Sequence, residues 1–275
     1  MEQHVTGAGR GGMVTVGVDL AGYSAVTGVC RVTWAAEPVV ELLAAKNDDH
    51  VLDAMRSADK TGLDAPVGWP VGFAALLTAH QTGEALPVAS RYATLEDGRL
   101  GLSRFTHRYT DDAMWKRTGA GRQRPLSVSA DRLGVVAMRA VSLLERLGDG
   151  AAIARDGSGP VAEVYPAYAL LQWGIAPALS YKGPKPAAMT ARAEIIDSLE
   201  QGLQFALHQL VRDRCIRSDH DLDALISALV SRAVACGLTY TPETDDEHAM
   251  AAIEGWAHVP RRDAPLVALR ETDAR

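Results

Sequence analysis

The segment MVTVGVDLAGYS, residues 13–24, decides how the rest of the chain is interpreted. Hydrophobic residues alternate over 14–18 in the pattern of a buried β-strand. Asp19 then stands where that pattern calls for another hydrophobic residue, and the small residues at 21–22 leave space beside it. A carboxylate at the end of a buried strand either serves a turn or belongs to a site. The rest of the sequence must separate these two explanations.

Composition limits the class of protein. The chain has 275 residues, a formal net charge of −6 and 47% hydrophobic residues, which suits one substantial domain. No apolar run approaches the roughly 18 residues needed to span a bilayer. The three cysteines are far apart and form no CxxC pair, which indicates a reducing cytoplasm. We therefore expect a cytoplasmic protein with a flexible N-terminal tail over 1–13, one domain over 14–262 and a C-terminal tail over 263–275.

The order of predicted elements indicates an α/β fold. The segments 24–34 and 38–45 follow the first strand after short links, so the first three strands are predicted to form an antiparallel meander. A helix at 48–59 then crosses over to a strand at 61–66, which would lie parallel to the first strand. The basic, glycine-interrupted region at about 84–127 predicts an inserted loop. The remaining predicted elements are helices at 73–80, 129–147, 166–173, 187–209 and 220–236 and a strand at 161–167. Together they predict a mixed sheet covered by helices on both faces.

A second aspartate, Asp64, ends its strand as Asp19 ends the first. Neighbouring strands lie about 4.8 Å apart, so parallel strands would bring the two carboxylates close together. They would meet at the edge where open α/β sheets bind ligands. Such carboxylates repel unless a cation lies between them, and Mg²⁺ and Mn²⁺ prefer oxygen ligands. Either aspartate alone is equally well explained as a turn residue, but their matching positions favour a metal site.

A third acidic group lies in the segment 217–229, RSDHDLDALISAL. A serine and acids in the first turn fit a helix N-cap without any function. Asp223 lies beyond the cap beside the buried stripe, and we predict it as the third metal ligand. His220 shares its face at i, i+3 and is a candidate helper, although a plain surface histidine fits equally well. Glu163 in the strand 161–167 is a further candidate ligand, with a solvent-facing side chain as the alternative.

Six short segments occur in the order VGVDLAG (16–22), LDAPVGWP (63–70), FTHRYTDD (105–112), EVYPA (163–167), HDLDALISAL (220–229) and EGWAHVP (254–260). Together they resemble the family of predicted RNase H-like nucleases, domain of unknown function 429, over residues 14 to 260. The resemblance implies an RNase H-like fold, in which acids on the first strand, the fourth strand and a late helix commonly bind two divalent metals. The matching residues here are Asp19, Asp64 and Asp223. The arginine-x-x-acid segment of the family falls at Arg108 and Asp111, and Asp111 is a second candidate helper. Glu163 and Trp256 lie in other motifs, for which the resemblance implies no role.

The leading hypothesis is metal-dependent hydrolysis of phosphodiester bonds in DNA or RNA. Two Mg²⁺ or Mn²⁺ ions about 3.5–4 Å apart would activate water and stabilise the leaving oxygen. Basic side chains of the insertion would bind phosphates, and tryptophans would stack on bases. The candidates are Arg104, Arg108, Lys116 and Arg117 for phosphates and Trp69 and Trp115 for bases. A solvated loop and ordinary core packing are the alternatives for these residues.

Two other functions fit the same residues. An actin-like phosphotransferase would use this fold class, but the chain shows one such unit and no repeated glycine-rich phosphate loop. A non-catalytic module would keep the fold and use the basic insertion to bind nucleic acid or another partner. Binding of Mn²⁺ separates this module from the nuclease, and stabilisation by a nucleotide would favour the phosphotransferase.

Overall fold

The computed structural model describes residues 12–22, 26–84, 105–121, 124–129, 132–175, 177 and 179–274. Within these residues six strands form one mixed sheet in the order β3-β2-β1-β4-β5-β6. The strands are β1 (Val14–Asp19), β2 (Gly28–Thr33), β3 (Val39–Leu43), β4 (Lys60–Asp64), β5 (Val161–Val164) and β6 (Ala257–His258). The helices are α1 (Asp48–Arg56), α2 (Val71–Thr82), α3 (Tyr109–Thr118), α4 (Leu133–Gly148), α5 (Pro166–Gln172), α6 (Pro186–Leu203), α7 (Gln209–Arg217), α8 (Asp219–Ala235), α9 (Asp245–Glu254) and α10 (Ala268–Glu271).

The pairing of the strands follows the predicted topology. β1 pairs antiparallel with β2, and β2 with β3, so the meander is confirmed. The crossover through α1 places β4 parallel to β1, and β5 and β6 continue the parallel half of the sheet. In the β1–β4 register Asp19 lies opposite Asp64. The sheet therefore brings both aspartates to one edge, side by side.

The residues of β1 alternate between the two faces of the sheet. Val16 and Val18 are fully buried against α1 and α4, and burial of each side chain contributes roughly 2 kcal/mol. On the other face Thr15 contacts α8, where its hydroxyl donates to the Ala228 carbonyl at 3.0 Å. Because the side-chain period of a strand is two, Asp19 belongs to the α8 face. Helices cover both faces, as predicted.

Two glycines allow α8 to lie directly on the strands. Gly17 and Gly62 are opposite each other in the register of β1 and β4. A Cβ atom at Gly17 would lie 2.0 Å from the Ala224 carbonyl oxygen, and one at Gly62 would lie 2.3 Å from the Ser227 carbonyl oxygen. Side chains do not tolerate such contacts, so any larger residue would push the helix away from the sheet.

The predicted C-terminal tail packs into the core over residues 263–274. Leu266 and Leu269 are buried, and Arg232 of α8 donates to the carbonyl groups of Leu269 and Thr272. The domain therefore extends beyond residue 262. The segment is too short and too polar for its periodicity to predict a helix, and long-range packing on α8 decides its position. Of the predicted N-terminal tail, residues 1–11 lie outside the described residues.

Two further predictions need correction. The predicted loop insertion at about 84–127 contains α3, whose periodicity is obscured by charged residues and flanking glycines. The helix predicted at 187–209 ends earlier, at Leu203, because Gln204 adopts a left-handed conformation with φ of 56°. A separate helix, α7, begins at Gln209. Of insertion residues 85–104 the structure gives no description. None of the described helices is both long enough and apolar enough to cross a membrane.

Candidate metal centre

Asp19, Asp64 and Asp223 converge at the carboxyl edge of β1 and β4. One carboxylate oxygen of each residue lies within 4.8 Å of those of the other two. Two oxygens bound to one Mg²⁺ ion are at most about 4.2 Å apart, since each metal–oxygen distance is about 2.1 Å. A small movement of the side chains would therefore place all three oxygens on one ion. The donor set, three carboxylates without sulfur or amide ligands, suits a hard divalent cation.

Each aspartate reaches this position because of a small residue or a cap nearby. Asp19 and Asp64 each follow a glycine by two residues, and these glycines admit α8. Asp223 lies on the buried side of α8, whose first turn is capped by the Ser218 hydroxyl accepting from the Asp221 amide at 3.2 Å. The repeated glycine-x-aspartate pattern in the two strands is therefore a signal of the site that the sequence carries.

Burial and mutual repulsion disfavour three negative charges at this edge. Burial raises the pKa of Asp64 well above its usual range, and the charges of Asp19 and Asp223 raise it further. Burial also raises the pKa of Asp223 to about 6, although Lys182 acts in the opposite direction. The cluster is therefore an environment that is stabilised by added positive charge.

Two residues that sequence reasoning missed contact Asp223. The Lys182 ammonium forms an ion pair with Oδ2, and the Tyr181 hydroxyl donates to Oδ1 at 2.9 Å. Burial alone would lower the pKa of Lys182, but Asp223 and Asp64 raise it above its usual value, so the side chain stays charged. The lysine side chain is 50% exposed, whereas the Asp223 side chain is 1% exposed.

The loop that carries Lys182 is held in place by a buried arginine. Arg192 of α6 donates to the carbonyl groups on either side of the lysine, those of Tyr181 at 2.5 Å and Gly183 at 2.9 Å. It also donates to the Ile216 carbonyl at 2.8 Å, near the start of α8. The lysine and the helix that carries Asp223 are therefore fixed by the same guanidinium group. No periodic pattern over these loop residues could have indicated this.

His220 contacts the cluster, as its predicted role as a helper requires. Its Nδ1 atom lies 2.5 Å from Asp19 Oδ2. This hydrogen bond and the charge of Asp19 raise the pKa of His220, although burial lowers it. A histidine bonded to a ligand carboxylate fixes the orientation of that carboxylate.

Arg108, predicted to bind phosphate, lies in a separate buried cluster. Its side chain is 2% exposed, and it donates to Asp111 at 2.8 and 3.3 Å and to Glu163 at 2.5 and 2.6 Å. A further hydrogen bond of 3.4 Å reaches the Glu254 carbonyl. The five N–H groups of the guanidinium are thus all used, and none remains for a phosphate. Burial would lower the pKa of Arg108, but Asp111 and Glu163 raise it above its usual value.

This arrangement also changes the interpretation of Glu163 and Asp111. Both oxygens of Glu163 accept from Arg108, and Oε2 also accepts from the Val67 amide at 3.0 Å. Asp111 accepts from the Arg108 amide at 2.8 Å, which closes a capping box at the start of α3. Glu163 was a candidate metal ligand, but its two oxygens bind Arg108 instead. Asp111 was a candidate helper, but it bonds to Arg108 and not to the three aspartates. The arginine-x-x-acid spacing is a capping signal.

Of the other basic candidates, Lys116 and Arg117 lie on α3. Arg117 donates to both oxygens of Glu247 at 2.8 Å, which anchors α3 to α9 and contradicts a free phosphate-binding group. Lys116 is exposed on α3. Arg104 lies outside the described residues. Among the described residues of the insertion, Lys116 therefore stays a prediction as a phosphate-binding residue.

Trp256, for which no role was predicted, and the stacking candidates Trp69 and Trp115 have different environments. Trp256 is fully buried, and its indole N–H donates to the Tyr240 carbonyl at 3.0 Å, so it belongs to the core. Trp115 is partly buried and donates to the Gly121 carbonyl at 2.7 Å. Trp69 is partly buried five residues after Asp64. Core packing explains Trp256, whereas Trp69 stays a prediction as a stacking residue.

Comparison with known protein families gives a match over most of the chain. The model of the family described as "Protein of unknown function (DUF429)" matches residues 17–248, which include all three aspartates. Neither a curated protein nor a solved structure matches the chain.

Proposed function

Since this chain belongs to the DUF429 family of proteins of unknown function, we propose from its site that it is a divalent-metal-dependent nuclease with an RNase H-like fold. It would hydrolyse phosphodiester bonds in nucleic acid. The observation that supports the proposal is the convergence of Asp19, Asp64 and Asp223 to within 4.8 Å at the carboxyl edge of the sheet. The antiparallel meander followed by parallel strands supports the fold assignment.

In this mechanism Asp19, Asp64 and Asp223 would hold Mg²⁺ or Mn²⁺. When bound, such ions supply an activated water and stabilise the leaving oxygen. His220 fixes the orientation of Asp19 through their hydrogen bond. The Lys182 ammonium, which pairs with Asp223 and belongs to a half-exposed side chain, would contact a phosphate oxygen of the substrate.

Cleavage of a nucleic-acid panel tests the proposal. Single-stranded, duplex and branched DNA and RNA would be incubated with the protein in Mn²⁺ or Mg²⁺. We expect cleavage of at least one substrate, and a loss of at least about 100-fold in Asp19→Asn, since one ligand of the metal is removed. Asp53→Asn is the matched control because Asp53 is an exposed aspartate on α1. Cleavage that persists unchanged in Asp19→Asn would contradict the proposal.

One contact favours the non-catalytic module as a second candidate. The ion pair of Lys182 with Asp223 gives the cluster a cation of its own. A module of this kind should bind no Mn²⁺, whereas the nuclease should bind Mn²⁺ and lose this binding in Asp64→Asn. Calorimetry with the metal alone distinguishes the two. No comparable contact favours the phosphotransferase.

A further inference from the structure

A cavity of about 210 Å³ adjoins the acid cluster, with Asp64 in its wall. Most of the other lining side chains are apolar, including Met114, Leu133 and Val164. Apart from Asp64, the charged groups that line it are Arg108, Asp111 and Glu163, which are bonded to one another. The cavity therefore offers an apolar enclosure directly beside the proposed metal site.

Tyr165 supplies an aromatic wall and an available hydroxyl. It follows the last residue of β5, and its ring stacks on that of Tyr168 with centroids 4.3 Å apart. Its hydroxyl makes no hydrogen bond to another described residue. Burial, with a contribution from the charge of Asp64, raises the pKa of Tyr165 to about 12. The hydroxyl is thus a donor at neutral pH, on a residue that lines the cavity.

Size and charge limit what this cavity can hold. Pockets for drug-sized ligands measure roughly 300–1,000 Å³, so 210 Å³ admits a single ring system and excludes a base pair. Arg108 has no donor left for an anion. The carboxylates of Asp64, Asp111 and Glu163 make the lining acidic. A phosphate group is therefore disfavoured, and a neutral, flat ring is favoured.

We propose that the cavity receives one unstacked nucleobase from the nucleotide next to the cleaved phosphate, with Tyr165 as the residue that positions it. This inference rests on the proposed nuclease function, because the base is placed by its link to a phosphate at the aspartates. A base can enter only from a single strand or after extrusion from a duplex, which costs a few kcal/mol. The substrate class is therefore nucleic acid that is single-stranded, or easily opened, at the point of cleavage.

Abasic substrates test this inference. Once the cleaved bond has been mapped, single strands would be prepared with one abasic nucleotide at each position around it. We expect kcat/KM to fall about 5- to 150-fold at one position next to the bond, because stacking on an aromatic residue contributes about 1–3 kcal/mol per base. A more distant abasic nucleotide should have little effect.

Variants of Tyr165 identify the residue responsible. Tyr165→Ala should lower cleavage of the intact strand but not lower cleavage of the strand that lacks the critical base any further, because both changes remove the same contact. Tyr165→Phe keeps the ring that stacks on Tyr168 and should retain the dependence on the base. If Tyr165→Ala unfolds, the abasic scan with the wild-type protein and with Tyr165→Phe still shows whether cleavage depends on a base next to the bond.

Two failures are distinguishable. Cleavage that is equal across the abasic series, or that favours continuous duplex over single strand, would overturn the base pocket and leave the nuclease intact. Absence of both Mn²⁺ binding and cleavage would overturn the nuclease, and the base pocket with it.

Discussion

Two charged clusters at the same edge of the sheet have opposite characters. In the first, Asp19, Asp64 and Asp223 face one another, and the cation that pairs with them is half exposed. In the second, Arg108 is enclosed by Asp111 and Glu163 with every N–H group bonded. The first cluster has an excess of negative charge beside an opening, whereas in the second cluster the hydrogen-bonding groups of the arginine are all paired within the protein. This difference separates a candidate ligand site from a structural ion pair more clearly than residue type does.

Removal of Arg108 should give the largest effect on stability. In Arg108→Met the carboxylates of Asp111 and Glu163 remain buried without their cation, which costs about 3–5 kcal/mol for a broken buried pair. Urea unfolding would measure this loss. Arg31→Met is the matched control, since Arg31 is partly exposed and its pair with Glu41 spans 4.0 Å. A loss below about 1 kcal/mol in Arg108→Met would mean that the second cluster is not a structural element.

His258 is expected to make the stability of the protein depend on pH. Its contribution must be known before the acid sensitivity of the two clusters can be compared. Burial lowers the pKa of His258 to about 4, whereas an unfolded histidine has a pKa of about 6.5. The unfolded chain therefore binds the proton first, so this contribution to stability is complete above about pH 6.5 and is lost as the pH falls towards 4. At about 1.4 kcal/mol per pKa unit the loss approaches 3 kcal/mol.

Unfolding free energies measured from pH 8 to pH 4 check this prediction. His258→Gln should flatten the curve between pH 6.5 and 4, and His50→Gln, at an exposed position on α1, should not. If the slope persists unchanged in His258→Gln, the acid sensitivity arises from another group, and the two carboxylate clusters become its first candidates.

The acid cluster could be predicted from the sequence, because local patterns determine most of it. The period of two in β1 and the crossover through α1 place Asp19 opposite Asp64. The cap at Ser218 accounts for the acids in the first turn of α8 but not for Asp223, which lies beyond that turn and is therefore the functional candidate. These rules involve near neighbours or strand order, which a single sequence expresses directly.

The arginine cluster and the lysine could not be predicted in this way. Arg108 meets Glu163, which is 55 residues away, only because the fold brings the start of α3 next to β5. Lys182 reaches Asp223 because Arg192 fixes its loop from a helix later in the chain. An exposed cationic loop and a buried ion pair have the same composition, so only tertiary packing distinguishes them.

Neutralising one carboxylate of the first cluster should stabilise the metal-free protein. The raised pKa of Asp64 means that its charged form is disfavoured in the fold, so Asp64→Asn should increase the unfolding free energy by about 1 kcal/mol. The same change should abolish the increase in Tm that Mn²⁺ gives the wild-type protein. Thermal unfolding with and without Mn²⁺ measures both, with Asp53→Asn as control. A destabilised Asp64→Asn would show that the three aspartates do not repel one another.

The smallest effect on stability is expected at Lys182, and it tests whether this residue substitutes for a metal. Its side chain is half exposed, so water partly screens the pair with Asp223, and Lys182→Met should lower the unfolding free energy by about 1 kcal/mol or less. Mn²⁺ should bind the variant more tightly than the wild type, because a positive charge has been removed from the site.

Calorimetry with Mn²⁺ alone measures that affinity, and Lys185→Met is the matched control because Lys185 is exposed three residues away. Equal affinities of Lys182→Met and wild type would mean that the ammonium and the ion occupy different positions. The lysine would then be a partner of Asp223 in the metal-bound protein as well, and the first cluster would be closer in character to the second than its open position indicates.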